Sequence, residues 1–153
     1  MRSGTRIGVD VGKVRVGVAR SDPHGMLATP VETVQRAKAS IKRVLKFANE
    51  YEAVEIVVGL PIALSGRDTA STGDARDFAQ QLADRTELPV RLVDERMTTM
   101  SAQTALRASG RTTKNSRSVV DQVAAVIILQ HALDFERSAD RPPGELVGPT
   151  QGS

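Results

Sequence analysis

The residues of this chain with the plainest chemical potential are carboxylates: Asp10, the adjacent pair Asp94 and Glu95, and Asp121. Each borders an aliphatic stretch, so each is tied to a structural element. The chain has no cysteine, and its two histidines, His24 and His131, have no ligand-spaced partner nearby in sequence. Disulfides and a thiolate zinc site are therefore excluded, and any metal must be held by oxygen. Carboxylates gathered without histidine or lysine relief repel one another, an arrangement that is costly unless a divalent cation neutralises it.

The stretch Thr5 to Asp22 must position the first acid. Ile7, Val9 and Val11 alternate with Arg6, Gly8 and Asp10, and Val14, Val16 and Val18 alternate with Arg15, Gly17 and Ala19. This predicts two strands folded back through Gly12-Lys13, with one face aliphatic and the other glycine around one carboxylate. Glycines at 8, 12 and 17 weaken a strand, which points to close approach of a ligand or another backbone. Asp10 lies at that bare place.

Met26 to Gln35 reads as a third strand, and Pro30 suits it to a sheet edge. Lys38 to Tyr51 places Ile41, Val44, Leu45, Ala48 and Tyr51 on one helical stripe. Val54 to Val58 is a short aliphatic strand ending at Gly59-Leu60-Pro61, as for a central strand buried on both faces. Residues 60–70 read as a loop, and Ser71 or Thr72 can cap a helix to about Thr86. Val90 to Val93 is the next strand; Thr98 or Thr99 can then cap a helix to Ser109, stopped by Gly110. A basic loop, Arg111 to Arg117, leads to a helix from Ser118 to Phe135 that is apolar nearly all round and is expected to be buried.

The order β-β-β-α-β-α-β-α-α predicts an α/β domain over residues 1–136. It has a mixed five-stranded sheet, three antiparallel strands followed by parallel ones, with helices on both faces. Residues 137–153, rich in Pro and Gly, are expected to form a disordered tail. Ligands gather at the carboxyl ends of parallel strands in such sheets. Asp10 late in the first strand, Asp94 or Glu95 ending the last, and Asp121 in the first turn of the apolar helix would converge there.

With 153 residues, 40% of them hydrophobic, the chain can bury one core. Its start lacks the layout of a signal peptide, and its longest aliphatic run, Val123 to Leu129, is too short to cross a bilayer. The expectation is a soluble cytoplasmic protein with no membrane partner. The net charge of +3 favours an anionic partner, and between Arg96 and Val120 there is no Asp or Glu. None of the four aromatic residues falls in that window, so backbone phosphate is a better target there than stacked bases.

Four motifs in order carry a resemblance: Asp10-x-Gly12-x-x-Arg15-x-Gly17-x-Ala19; Gly59-Leu60-Pro61; Asp94-Glu95-Arg96 with Thr98-Thr99; and Asp121-x-x-Ala124-Ala125-x-x-Ile128-Leu129. Over residues 5–135 the chain resembles the YqgF (RuvX) family, Holliday junction resolvase-like and pre-16S rRNA nucleases with the RNase H-like fold. The resemblance implies a nuclease site of Asp10, Glu95 and Asp121, with Asp94 as neighbour or helper. It also implies Mg²⁺ or Mn²⁺ as cofactor and a two-metal phosphodiester hydrolysis that needs no histidine base. Lys13, Arg15, Arg96, Arg107, Arg111, Lys114 and Arg117 would bind phosphates of structured RNA or branched DNA, giving register without reading bases. A ribosomal RNA precursor is the favoured substrate and a four-way DNA junction the alternative; junction cleavage would favour a homodimer.

Plainer readings stand beside these. Asp10 could pair across the hairpin with Arg15. Ser118-x-x-Asp121 matches a capping box, and Asp94-Glu95 could be a charge pair at a helix entry. Two other classes compete: a phosphate-clamping ATPase of the actin and sugar-kinase kind, for which the chain lacks a second lobe, and a non-catalytic nucleic-acid or ribosome-associated binding factor.

Overall fold

The computed structural model describes residues 2–63, 65–95 and 113–148, with the side chains of the last stretch described from Gln122 onward. Period-two alternation produces an antiparallel meander of β1 (Thr5–Val11), β2 (Arg15–Ser21) and β3 (Ala28–Gln35). After α1 (Ala39–Glu50), β4 (Ala53–Leu60) lies parallel to β1. α2 (Ala70–Arg85) leads to β5 (Val90–Asp94), parallel to β4. The long helix α3 (Thr113–Ala139) and a short β6 (Glu145–Val147) complete the described elements. The sheet order is β3-β2-β1-β4-β5-β6.

Alternation along the strands builds two cores. Ile7, Val9, Ile56 and Val58 pack with Ile41, Val44 and Phe47 of α1 and with Phe78 and Leu82 of α2. On the opposite face, Ala19, Val57 and Val93 pack with Ala125, Ile128, Leu129, Ala132 and Leu133 of α3. α3 comes unusually close to the sheet: a Cβ added to Gly8 would stand 2.6 Å from Leu129 Cβ and 3.1 Å from the Ala125 carbonyl oxygen. The bare face of β1 therefore admits a helix backbone along part of its length. At the other end of that face, the buried Arg6 guanidinium meets Glu136 of α3 at 2.9 Å.

Pro30 sits on edge strand β3, as its missing N–H requires. Other expectations are corrected. The hairpin turns through Lys13-Val14 rather than Gly12-Lys13, because the Gly12 N–H donates to the Arg15 carbonyl at 2.9 Å and Val11 pairs with Val16. α2 starts at Ala70 with Thr69 as its N-cap, and Thr69 and Thr72 form a capping box. α3 begins at Thr113, so Lys114 and Arg117 belong to a helix rather than a loop, and Asp121 lies well inside it. α3 is also not buried all round: it covers one face of the sheet, and Val123 and Ile127 stay only half-buried.

The sheet has six strands rather than five. In place of a tail starting at residue 137, α3 continues to Ala139, the chain turns at Pro142-Pro143-Gly144, and β6 pairs antiparallel with β5. Gly144, at φ 66°, presses against the Leu92 carbonyl, where no side chain fits. The expected helix from Thr98 or Thr99 to Ser109 lies outside the described residues, as do residues 149–153.

Candidate active site

The carboxyl ends of β1, β4 and β5 lie side by side, and the acids gather there. Asp10 continues the alternation of Arg6 and Gly8 and emerges on the α3 face; Glu95, the residue after β5, brings its carboxyl to the same face, beside Gly59 and Ile128. β4 stands between their strands, which leaves the two backbones two strand spacings apart, about 9.6 Å. The carboxyl groups nevertheless share a hydrogen bond across β4.

Burial, the charge of Asp10 and that hydrogen bond push the Glu95 carboxyl up to about 8, with a smaller push from Asp94. Burial and a neighbouring carboxylate both favour the protonated form of an acid. Asp94 pairs in register with Leu60 and follows the alternation of Val90 and Leu92, so it emerges on the opposite face from Glu95. Of the two adjacent acids, Glu95 is the one that meets Asp10.

Asp10 lies directly opposite Gly17, not Arg15, so the directly opposed pair is an acid and a glycine. Gly17 in turn pairs with Thr33, and Gln122 of α3 donates to the Thr33 hydroxyl at 3.1 Å. This bond ties the helix one residue beyond Asp121 to the row of the sheet that contains Asp10. The side chain of Asp121 is outside the described set. Its position well inside α3 removes the capping-box reading, since Ser118 does not start the helix. Among the described residues, no group of three or more His, Asp or Glu side chains is arranged to hold a metal.

Of the candidate phosphate-binding cations, Lys13 is exposed at the tip of the β1–β2 hairpin and Arg15 is half-buried at the start of β2. Lys114 and Arg117 lie in the first turns of α3, their side chains not described, and Arg96, Arg107 and Arg111 lie outside the described residues. Sequence reasoning missed Arg36. Its backbone N–H donates to the Val14 carbonyl at 2.8 Å, and its guanidinium donates to the Gly12 carbonyl at 2.9 Å. The same guanidinium grips Asp74 of α2 and lies over the Phe78 ring. Nothing local in the sequence marks this brace, because its partners are distant in the chain.

A mixed sheet with three antiparallel strands followed by parallel ones, helices on both faces and an acidic pair at the carboxyl edge defines an RNase H-like α/β domain. Comparison with known proteins narrows the class. A family model described as Holliday junction resolvase (RuvX) matches residues 4–135, and the chain belongs to that family. A protein of Clavibacter michiganensis subsp. michiganensis named "Putative pre-16S rRNA nuclease" is 64% identical over 150 residues, covering 96% of this chain and 93% of its own. A protein of the same name from Leifsonia xyli subsp. xyli is 58% identical, covering 99% of both chains. Among solved structures, Thermus thermophilus RuvC in complex with a Holliday junction substrate superimposes with a TM-score of 0.58 at 15% identity, covering 94% of this chain and 99% of that one. The last likeness is one of fold. Among the described residues, no helix is long and apolar enough to cross a membrane.

Proposed function

We propose that this protein is a divalent-metal-dependent endonuclease that hydrolyses phosphodiester bonds in structured nucleic acid, with the end of the pre-16S ribosomal RNA as its substrate. The observation that carries the reading is the contact of Asp10 with Glu95 at the carboxyl edge of the parallel strands. Two half-buried carboxyl groups brought together form a hard-oxygen donor set that suits Mg²⁺ or Mn²⁺. Asp10 and Glu95 would hold the metal, with Asp121 from α3 as a third carboxylate and Asp94 as an outer neighbour. The attachment of Gln122 to the Asp10 row supports the choice of Asp121. At such a site a pair of divalent ions supplies activation of water and stabilisation of the leaving oxygen.

The chain's own residues set the remaining requirements. Both carboxyl groups must be deprotonated to act as ligands, so metal binding would release any proton that the raised pKa of Glu95 retains. Lys13 and Arg15, on a hairpin braced by Arg36, extend beyond Asp10 and would fix the phosphate backbone relative to the acids. Arg96, Arg107, Arg111, Lys114 and Arg117 would extend that contact, so recognition rests on shape and phosphate rather than base edges.

The family model's own description favours a second reading, in which the substrate is a four-way DNA junction cut by a homodimer. Names of close relatives favour RNA. The test is a cleavage assay with Mg²⁺ and Mn²⁺ on a pre-16S rRNA end and a four-way junction in parallel, using wild type and Asp10→Asn. Cleavage of the RNA by wild type alone supports the proposal, and cleavage of the junction alone transfers it to the second reading. Binding of either substrate without cleavage by either protein overturns both in favour of a binding factor.

A further inference from the structure

We propose that Gly59 is the positioning residue of the acidic site: the absence of a side chain there lets the Glu95 carboxylate cross β4 and meet Asp10. Gly59 pairs with Val93 on β5, and it follows Val57 in facing α3, the same side as both acids. A Cβ built on it would stand 2.9 Å from the Glu95 carboxyl carbon, 3.0 Å from Glu95 Cγ and 2.5 Å from Ile128 Cδ1. Real Cβ atoms do not tolerate such contacts, so any larger residue must displace Glu95, Ile128 or both. Gly59 lies in strand β4 and is absent from the positive-φ glycines, so left-handed backbone is not the reason for glycine here. Space is. The carboxyl carbon of Glu95 occupies nearly the volume that a side chain on β4 would fill, and β5 thereby delivers an acid to the strand beside β1.

This inference rests on the reading of Asp10 and Glu95 as metal ligands, and its test separates the two. Ile128→Val removes the Cδ1 atom, so in that background Gly59→Ala encroaches chiefly on Glu95. Two readouts are taken on the full chain: Mn²⁺ affinity by isothermal titration, and a metal-free crystal structure of each variant. Gly73→Ala serves as a control, because nothing lies within 4 Å of a Cβ built there.

Ile128→Val and Gly73→Ala are expected to bind Mn²⁺ as wild type does. Gly59→Ala with Ile128→Val is expected to lose about 10- to 100-fold in Mn²⁺ affinity, the usual cost of disturbing a ligand's support. Its crystal structure should show the Glu95 carboxylate moved away from Asp10. Glu95→Ala with Ile128→Val should lose the ion, and adding Gly59→Asp should restore it by supplying a carboxylate from β4 itself. A Gly59→Ala, Ile128→Val structure with the Asp10–Glu95 hydrogen bond intact overturns the inference. If wild type shows no Mn²⁺ site that Asp10→Asn removes, the nuclease reading fails, and the metal-free structures alone decide the part played by Gly59.

Discussion

Arg36 and Asp74 join the two parts of the molecule that flank the acidic edge, with guanidinium nitrogens 2.7 and 2.8 Å from the two carboxylate oxygens. Arg36 also holds the hairpin through the carbonyls of Gly12 and Val14, so α2 braces the loop that carries Lys13. The hydrogen bonds and charge of Arg36 keep the Asp74 carboxyl below its usual range.

Arg36→Ala is therefore expected to cost about 1.5–3 kcal/mol of stability, the scale of hydrogen bonds to charged groups. In a cleavage assay it should raise KM more than it lowers kcat, since the phosphate-binding tip loses its brace while the acids remain. Equal losses in both constants would contradict this role. Because the Asp74 value is depressed on folding, its contribution is present above 3.8 and disappears as pH falls through the lowered folded value.

The Glu95 carboxyl supplies a pH dependence of the opposite sign. Its value rises from 4.5 to about 8 on folding, so through that interval the folded state holds a proton that the unfolded state has released. Metal-free protein should become less stable as pH increases across the window, with Tm at least about 2 °C lower at its upper end. Glu95→Gln should flatten the decline, and saturating Mn²⁺ should reverse it in wild type. Melting curves in chelator, with and without added Mn²⁺, provide the check; an equally steep decline in Glu95→Gln would refute it.

Gly8→Ala should destabilise the domain by about 1–3 kcal/mol, because the added methyl must push Leu129 and its helix off β1. Urea denaturation measures the loss. A variant as stable as wild type would mean that α3 is free to retreat from the sheet.

At the far end of β1, Arg6 and Glu136 form a pair with only 1% and 4% of their side chains exposed. Burial pushes the Glu136 carboxyl up, but hydrogen bonds and charge from Arg2 and Arg6 outweigh it and hold the value down. Glu136→Ala would leave a buried guanidinium without its carboxylate, at a cost of about 3–5 kcal/mol. Provided the variant remains folded, its Mn²⁺ affinity should be unchanged, since the pair lies at the opposite end of the strand from Asp10. A parallel loss of Mn²⁺ binding would show that the two ends are coupled.

Local periodicity made much of this legible in the sequence. The alternation of Ile7, Val9 and Val11 with Gly8 and Asp10 marked β1 and its acid, and Pro30 marked an edge. Alternation put Asp94 on the side of Val90 and Leu92, whereas Glu95 lies just beyond the end of β5. Which side meets Asp10 was a tertiary decision, made by the packing of Val93 against α3 and of Leu92 against α2. The hairpin turn, the early start of α3 and the return of β6 were likewise decided by partners remote in sequence. The same holds for the Arg36 brace and for Gly59: a glycine after an aliphatic strand reads as a turn, and only the neighbouring strands show that its missing side chain makes room for an acid from β5. Sequence periodicity determines which residues share a face of an element, whereas contacts across elements depend on register and inter-strand spacing, which arise only when the sheet is assembled.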